Sequence, residues 1–210
     1  MIGSSHCASS AGEFMPPIAA YPPTQPVLDD SHEIAASVIT NVMCTADNGD
    51  LPLFAATLGI PSKEFAMLLD GQSQPLFQFN SLHAKLLADW LPGLFLPLVE
   101  LLWDYQCRQD RLGWLVSHAV ACACFGHRHL WQDLGLNERE DVTRLLLRHC
   151  PGLAARNTQN MKWKHFLFSE LGKRLGQSDL EPPGCGGCDQ VRACFPGRKE
   201  SGIAFMRRVR

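Results

Sequence analysis

Three cysteines near the end of the chain have the spacing of a thiolate metal site. Cys185, Cys188 and Cys194 follow a C-x2-C-x5-C pattern within ten residues. A C-x2-C pair lets one tight turn direct two sulfurs at one metal, and the glycines between them tolerate the positive φ angles that such turns often need. Thiolates select zinc, copper(I) or iron–sulfur clusters over hard cations. The spacing therefore predicts a soft-metal site and leaves the metal open.

Histidines and cysteines also concentrate around Gly126. Several of them lie four residues apart, so that each pair can share one face of a helix. Cysteine is often a small buried core residue, and this group is therefore a weaker candidate for metal ligation. Its members are His118, Cys122, Cys124, His127, His129 and Asp133.

The start of the last predicted helix is a candidate anion site. Backbone N–H groups are free at the start of a helix, and Arg156, Lys162 and Lys164 lie near this one. On a helix, however, Lys162 and Lys164 point to different sides. We therefore favour the alternative, in which residues 157–160 cap a helix whose apolar side chains pack into the core.

The composition predicts a cytoplasmic protein without nucleic-acid or membrane contacts. The chain has 210 residues, 46% of them hydrophobic, and a net charge of −2, which allows one core and gives no general affinity for polyanions. The N-terminal residues lack the apolar run of a signal peptide, and the most apolar region, 86–103, is interrupted by charges and prolines. In a reducing compartment, nine cysteines favour metal or redox chemistry over disulfides.

Apolar residues recur at helical intervals along most of the chain, and no stretch alternates with period two for long enough to form a strand. The predicted fold class is therefore all-α. Capping residues, glycines and prolines place the helix ends. In the first half of the chain we predict helices from Ser31 to before Gly49 and over 51–58, 62–69, 81–91 and 96–106. A central helix follows Asp110 and ends at Gly126, and a short helical turn covers 127–136. The last two helices are one capped by Asn137 and Glu140 that stops at Pro151, and one over 161–175.

These elements predict a single helical domain between two tails. Residues 1–30 form a Pro/Ser-rich segment with too little apolar surface to fold, and we expect it to be disordered. The helical domain is predicted over 31–176, the cysteine-rich metal-binding loop over 177–197 and a basic tail over 198–210.

Three runs of residues resemble one protein family. HLWQDLGL at 129–136, MKWKHFLFSEL at 161–171 and the cysteine tail ending Cys194-Phe195 occur in that order. Together they resemble the NifQ family over residues 31–196. The resemblance implies a helical cytoplasmic protein of nitrogen fixation, a carrier rather than an enzyme. It would hold a molybdenum-containing iron–sulfur cluster and supply molybdenum for nitrogenase cofactor biosynthesis, with a molybdenum source and the cofactor-assembly proteins as partners.

The chain departs from the family pattern at two positions. The family motif is C-x4-C-x2-C-x5-C, and its last three positions match Cys185, Cys188 and Cys194. The first position falls on Leu180, and Gly172 stands where the family tends to have a further cysteine. Neither residue can ligate a metal, so the resemblance leaves the fourth ligand open.

Three thiolates suit a cluster with three irons. In a cubane of three irons and one molybdenum, each iron takes one cysteine and the molybdenum takes another ligand. His129 is the first candidate because it belongs to a matched run, and Asp179 and Glu181 offer oxygen ligands beside Leu180. Two other functions remain open: a zinc-binding interaction module with His165 as a distant fourth ligand, and an iron–sulfur electron carrier or redox sensor.

Overall fold

A computed structural model of the protein describes residues 30–61, 65, 91–178, 180–187 and 194. Within these ranges the fold is helical and contains no strand, which confirms the predicted all-α class. The α-helices are α1 (Asp30–Asp47), α2 (Phe95–Asp104), α3 (Arg111–Cys124), α4 (Leu130–Asp133), α5 (Arg139–His149), α6 (Pro151–Ala154) and α7 (Trp163–Leu175). Two 3₁₀ helices lie at Leu53–Thr57 and Pro183–Gly187.

Helix α3 is the centre of the domain, as its broad apolar surface predicts. Asp110 caps its start, where Oδ1 accepts a hydrogen bond of 2.9 Å from the Gly113 N–H. All residues of 116–124 are buried, because α1, α2, α4 and the first 3₁₀ helix surround this stretch. The α-helix ends at Cys124, so that the following residues are free to form the turn that carries His127 and His129.

Helix α1 covers one side of α3 with a narrow apolar stripe. Ala35, Val38, Val42 and Ala46 recur every three or four residues, and all four are buried. The helix ends before Gly49, whose φ of +84° suits glycine. Both ends agree with the sequence prediction to within a residue.

The segment 51–58, predicted as a short helix, forms a 3₁₀ helix over Leu53–Thr57. Leu58 and Gly59 both have positive φ angles, 56° and 69°, which stop the helix after one short turn. Gly59 also lies against the ring of Phe95, so that no side chain fits there. The two positive φ angles therefore end this helix, and Gly59 packs closely on Phe95 of α2.

The predicted cap of α5 is displaced by one residue. The structure uses Glu138 as N-cap and Asp141 three residues later, where the Asp141 carboxylate accepts the Glu138 N–H at 3.2 Å. The predicted pair was Asn137 and Glu140. Pro151 follows the end of α5, as predicted, but it also begins the short helix α6, because proline suits the first position of a helix.

Helix α7 holds the second matched run against the core. Its buried residues include Trp163, Phe166, Leu167 and Leu171. It begins at Trp163, two residues after the predicted start, and ends at Gly176, whose φ of +68° makes it a C-terminal cap.

Some predictions concern residues outside the described ranges. They include the N-terminal tail, most of the helices at 62–69 and 81–91, Cys188, Asp179 and the basic tail at 198–210. The predicted domain boundaries stay predictions. Among the helices that are described, none is long and apolar enough to cross a membrane.

Candidate metal centre

The two described cysteines of the C-terminal cluster share a cavity with three histidines. The cavity has a volume of about 290 Å³. Cys188 lies outside the described residues. The lining residues are the cysteines Cys185 and Cys194, the histidines His127, His129 and His165, the cationic residues Arg128, Arg139, Lys162 and Lys164, the apolar residues Leu130, Trp131, Val142 and Trp163, and Gly184.

The three parts of the chain that carried the family resemblance meet at this cavity, together with Arg139 and Val142 of α5. The turn between α3 and α4 contributes His127 and His129, the first turn of α7 contributes Lys164 and His165, and the second 3₁₀ helix contributes Cys185. Each part contains or adjoins one of the three runs that carried the family resemblance. The tertiary structure therefore brings the three runs to one place.

His129 stands at the start of α4 with its backbone fixed. Its N–H donates a hydrogen bond of 3.0 Å to the Gln132 side-chain oxygen. The residue is half-buried, and its side chain forms part of the cavity wall. Its predicted role as a metal ligand is not tested by the structure, which shows that it lies on the same wall as the two thiols.

His165 is the imidazole that the sequence pointed to only as a remote zinc ligand. It lies in the first turn of α7, half-buried, beside the cavity. Burial lowers the pKa of His165, and Glu181 partly opposes that shift by favouring the charged form. The neutral imidazole, which is the form that binds metals, is therefore favoured at this position.

Lys164 has a partner within the protein and is not a free anion ligand. Its ammonium donates to Asp133 Oδ2 at 2.6 Å and to the Gly126 carbonyl at 2.9 Å. Both side chains are buried, Lys164 at 5% and Asp133 at 0% exposure. Asp133 Oδ1 also accepts from Arg128 Nε at 3.0 Å. The candidate anion site at the start of α7 therefore loses Lys164, and Asp133 is a charge partner rather than a metal ligand.

Cys124 lies beneath the cavity in the same charged neighbourhood. It is fully buried at the end of α3. Burial raises its pKa to about 12; the Lys164 cation lowers it in part, while Asp133 and Cys185 raise it further. Cys185, which lines the cavity, is thus one of the groups that disfavour the charged form of the Cys124 thiol.

His118 and Cys122, the other members of the predicted second ligand group, belong to the core. The His118 Nδ1–H donates to the Leu58 carbonyl at 2.8 Å, and the ring packs on Phe95 and Trp114. Burial lowers the pKa of His118 to about 4, an effect that the Leu58 hydrogen bond partly offsets. Burial also raises the pKa of Cys122 well above its usual range. These two residues pack the interior and take no part in the cavity.

The two positions that depart from the family pattern touch each other. A Cβ on Gly172 would lie 3.3 Å from the Leu180 Cβ and would collide with the Gln177 carbonyl. Leu180 is partly buried and packs on the core. Neither residue lines the cavity. Of the two oxygen ligands predicted beside Leu180, Asp179 lies outside the described residues and Glu181 is not among the residues that line the cavity. The cavity itself supplies imidazoles.

The donors of the cavity are sulfur and imidazole. Within the described ranges no three His, Cys, Asp or Glu side chains are grouped closely enough to hold a metal ion. The thiols and imidazoles instead surround a space of about 290 Å³. Sulfur and imidazole donors match iron–sulfur centres. The described lining residues include four cationic side chains, of which Lys164 and Arg128 are paired with Asp133, and no acidic side chain. An anionic sulfide cluster fits this composition.

The sequence did not single out Arg139 or Trp131 as site residues. Arg139 is anchored where its Nη2 donates to the carbonyls of Asn160 and Met161, at 3.0 and 2.8 Å. This contact joins the start of α5 to the segment before α7 and brings Arg139 to the cavity wall. Its position in the first turn of a helix gave no signal of that role.

Comparisons with known proteins agree with the resemblance. The NifQ family model matches residues 35–196. Protein NifQ homolog from Sinorhizobium fredii (strain NBRC 101917 / NGR234) is 31% identical over 179 residues, which cover 85% of this chain and 77% of the relative. Protein NifQ from Azotobacter vinelandii is 43% identical over 82 residues, 39% of this chain and 42% of the relative. Protein NifQ from Rhodobacter capsulatus is 34% identical over 116 residues, 50% of this chain and 64% of the relative.

No solved structure matches the chain. The range matched by the family model begins in α1 and ends after Cys194, so that it contains every part of the chain that lines the cavity. The resemblance inferred from the three runs is thereby confirmed. The chain belongs to the NifQ family, whose members take part in nitrogen fixation and in the handling of molybdenum.

Proposed function

We propose that this protein carries a molybdenum-containing iron–sulfur cluster as cargo and supplies its molybdenum for assembly of the nitrogenase iron–molybdenum cofactor. The observation that carries the proposal is the cavity in which Cys185 and Cys194 face His127, His129 and His165. Membership of a nitrogen-fixation family concerned with molybdenum supplies the identity of the metal.

Cys185, Cys188 and Cys194 would hold the iron side of the cluster. Three thiolates match three irons, and they leave the molybdenum without a cysteine ligand. A ligand from the imidazole wall, His129 in the first place, would complete that corner. Because no thiolate holds that corner, the molybdenum stays exchangeable, as a donor requires.

The walls of the cavity favour an anionic guest. Arg128, Arg139 and Lys162 lie around it, and thiolates with bridging sulfides give such clusters a negative charge. Trp131 and Trp163 add apolar surface on the same walls. Apolar surroundings slow the entry of water to sulfides and thiolates, which protects a cluster that must survive until it is transferred.

The role is that of a carrier in the cytoplasm rather than an enzyme. Its partners would be a source of molybdenum and the proteins that assemble the cofactor, with no part for nucleic acid or membrane. The family identity, the soft donors of the cavity and the net charge of −2 support this part of the proposal.

Anaerobic purification with iron, molybdenum and zinc analysis, combined with electron paramagnetic resonance, tests the function. Wild-type protein should contain iron and molybdenum and give the signal of a paramagnetic cluster. Cys185→Ala, Cys188→Ala and Cys194→Ala should each lose most of the iron. Cys44→Ala, at an exposed cysteine of α1, is the matched control and should retain it.

Other metal contents would support other functions. Zinc without iron would contradict the proposal in favour of an interaction module, and iron that never accompanies molybdenum would favour an electron carrier. Unchanged iron in all three cysteine variants would exclude the cysteine loop as the site. His129→Ala should retain iron and lose molybdenum, and equal contents of both metals in this variant would remove His129 from its assigned role.

A further inference from the structure

Cys107 and Cys150 lie on two segments that are joined backbone to backbone. The Cys107 N–H donates a hydrogen bond of 2.8 Å to the His149 carbonyl, so that the segment after α2 lies against the junction of α5 and α6. The Tyr105 ring packs on the same junction, where a Cβ on Gly152 would lie 3.3 Å from its Cδ1. Because the peptide unit is rigid, the backbone hydrogen bond places the Cα atoms of the two cysteines closer than about 7 Å, the separation beyond which a disulfide cannot form.

Each of the two thiols makes its hydrogen bond to the opposite segment. The Cys107 thiol donates to the Arg148 carbonyl at 3.0 Å, near the end of α5. The Cys150 thiol donates to the Leu102 carbonyl at 3.5 Å, in the last turn of α2. Both side chains therefore extend into the contact between the segments.

The two thiols differ in access to solvent. Cys107 is exposed, whereas Cys150 has 1% exposure. Burial raises the pKa of the Cys150 thiol to about 12, with a smaller contribution from Cys107. A small oxidant in solution therefore meets Cys107 first, and the buried neutral thiol does not react with it directly.

We propose that Cys107 and Cys150 form a dithiol modification site, at which a small disulfide such as oxidised glutathione closes a reversible bond between the segment after α2 and the junction of α5 and α6. The Cys107 thiolate attacks the small disulfide, forms a mixed disulfide and releases one small thiol. The Cys150 thiol then loses its proton and attacks the Cys107 sulfur, which releases the second small thiol. The protein loses two electrons and two protons, and the small disulfide takes up both.

The second step is favoured by proximity. Cys150 is held beside Cys107 by the backbone hydrogen bond, so that the attack is intramolecular. A high effective concentration compensates for the small thiolate fraction of a buried thiol. Neither cysteine lines the cavity, and no metal takes part in the exchange. The site is therefore independent of the proposed function.

Mapping of disulfides in the full-length protein tests the site. The protein is treated with oxidised glutathione, its remaining thiols are blocked with N-ethylmaleimide, and it is digested with trypsin without reductant. Peptide 86–108 contains Cys107 and peptide 149–156 contains Cys150, each as its single cysteine. The cross-link between these peptides should be at least about tenfold more abundant than a cross-link of either one to peptide 1–63, which carries the exposed Cys44.

Three variants test the order of the two steps. Cys150→Ala should leave Cys107 as a mixed disulfide with glutathione, because the second thiol is absent. Cys107→Ala should leave Cys150 unmodified over times in which Cys44 reacts. Cys44→Ala is the matched control and should form the cross-link as wild type does. A stable mixed disulfide on Cys107 of the wild type, without the cross-link, would overturn the site. Reaction of Cys150 in Cys107→Ala at the rate of Cys44 would overturn the order of attack.

Thermal unfolding shows whether the bond fits the native fold. A disulfide that joins residues distant in the sequence restricts the unfolded chain, so the melting temperature of the cross-linked protein should rise by about 5 °C. Dithiothreitol should reverse the rise, and Cys150→Ala treated in the same way should not show it. An equal or lower melting temperature of the cross-linked protein would show that the bond distorts the native contact, and would overturn the proposal. The metal content of the protein enters none of these measurements, so that failure of the proposed function leaves the result unchanged.

Discussion

Histidine and cysteine residues are buried in the core but partly exposed at the cavity. His118, Cys122 and Cys124 lie on α3 and are buried, whereas His129 and Cys185 line the cavity of about 290 Å³ and are partly exposed. Both groups combine imidazole with thiol, and both looked like candidate ligands in the sequence. Burial distinguishes the two groups. It lowers the pKa of His118 and raises the pKa values of Cys122 and Cys124, so that each core side chain favours its neutral form.

The comparison teaches that ligand chemistry here depends on access more than on spacing. A thiol must lose its proton to bind a metal, and the core thiols resist that loss while their surroundings leave no room for a guest. The cavity thiols lie on a short polar segment beside cationic side chains. The four-residue spacing of His118 and Cys122 on α3 was therefore a weaker indication of metal ligation than the three separate runs of residues that fold together at the cavity.

The largest expected effect comes from the ion pair between these two regions. Lys164→Met leaves the fully buried Asp133 carboxylate with Arg128 as its remaining cationic partner. Removal of one member of a buried pair costs about 3–5 kcal/mol of unfolding free energy. Urea unfolding should show a loss in that range, and the double variant with Asp133→Asn should recover part of it. Lys162→Met, on the exposed neighbour, should change stability by less than about 0.5 kcal/mol; equal losses in the two single variants would contradict the importance of the pair.

An intermediate effect is expected from the pH dependence of the core. The pKa of His118 is about 4 in the folded protein, against 6.5 for the free side chain, so that the unfolded chain binds the proton more readily. The stability that neutral His118 contributes is complete above pH 6.5 and is lost as the pH falls toward about 4. The full loss is about 3 kcal/mol.

Urea unfolding of wild type and His118→Gln at pH 7.5 and pH 4.5 measures this loss. Wild type should lose about 2–3 kcal/mol more than the variant over that interval, because all other titrating groups are common to both proteins. The same pH dependence in the two proteins would show that His118 does not carry the effect.

The smallest effect is expected at the position where the family pattern has its first cysteine. Leu180→Cys adds a thiol beside Gly172 and not at the cavity wall. Iron and molybdenum contents should therefore equal those of wild type, while the smaller side chain costs at most about 1–2 kcal/mol of stability. A gain of iron in Leu180→Cys would show that the loop can bring position 180 to the cluster, and would weaken the distinction between cavity and core.

Much of the fold could be predicted because its causes are local. The apolar interval on α1, the cap at Asp110 and the glycine after α7 each depend on neighbouring residues, and the structure reproduces them. The predicted short helix over 51–58 is present as a 3₁₀ helix over Leu53–Thr57, which ends at the positive φ angles of Leu58 and Gly59. What the sequence did not predict depends on residues distant in the chain: the role of Lys164 depends on Asp133, thirty-one residues away.

The sequence by itself determined the helical class, the family and the thiols that could bind a soft metal, because periodicity, motif order and ligand type are all written in the order of the residues. Only the tertiary structure decided which candidates share a space. It joined Cys185 and Cys194 to His127, His129 and His165, and it assigned Asp133 to Lys164 instead of to a metal. The physical reason is that burial and charge pairing depend on side chains that meet only after the chain has folded.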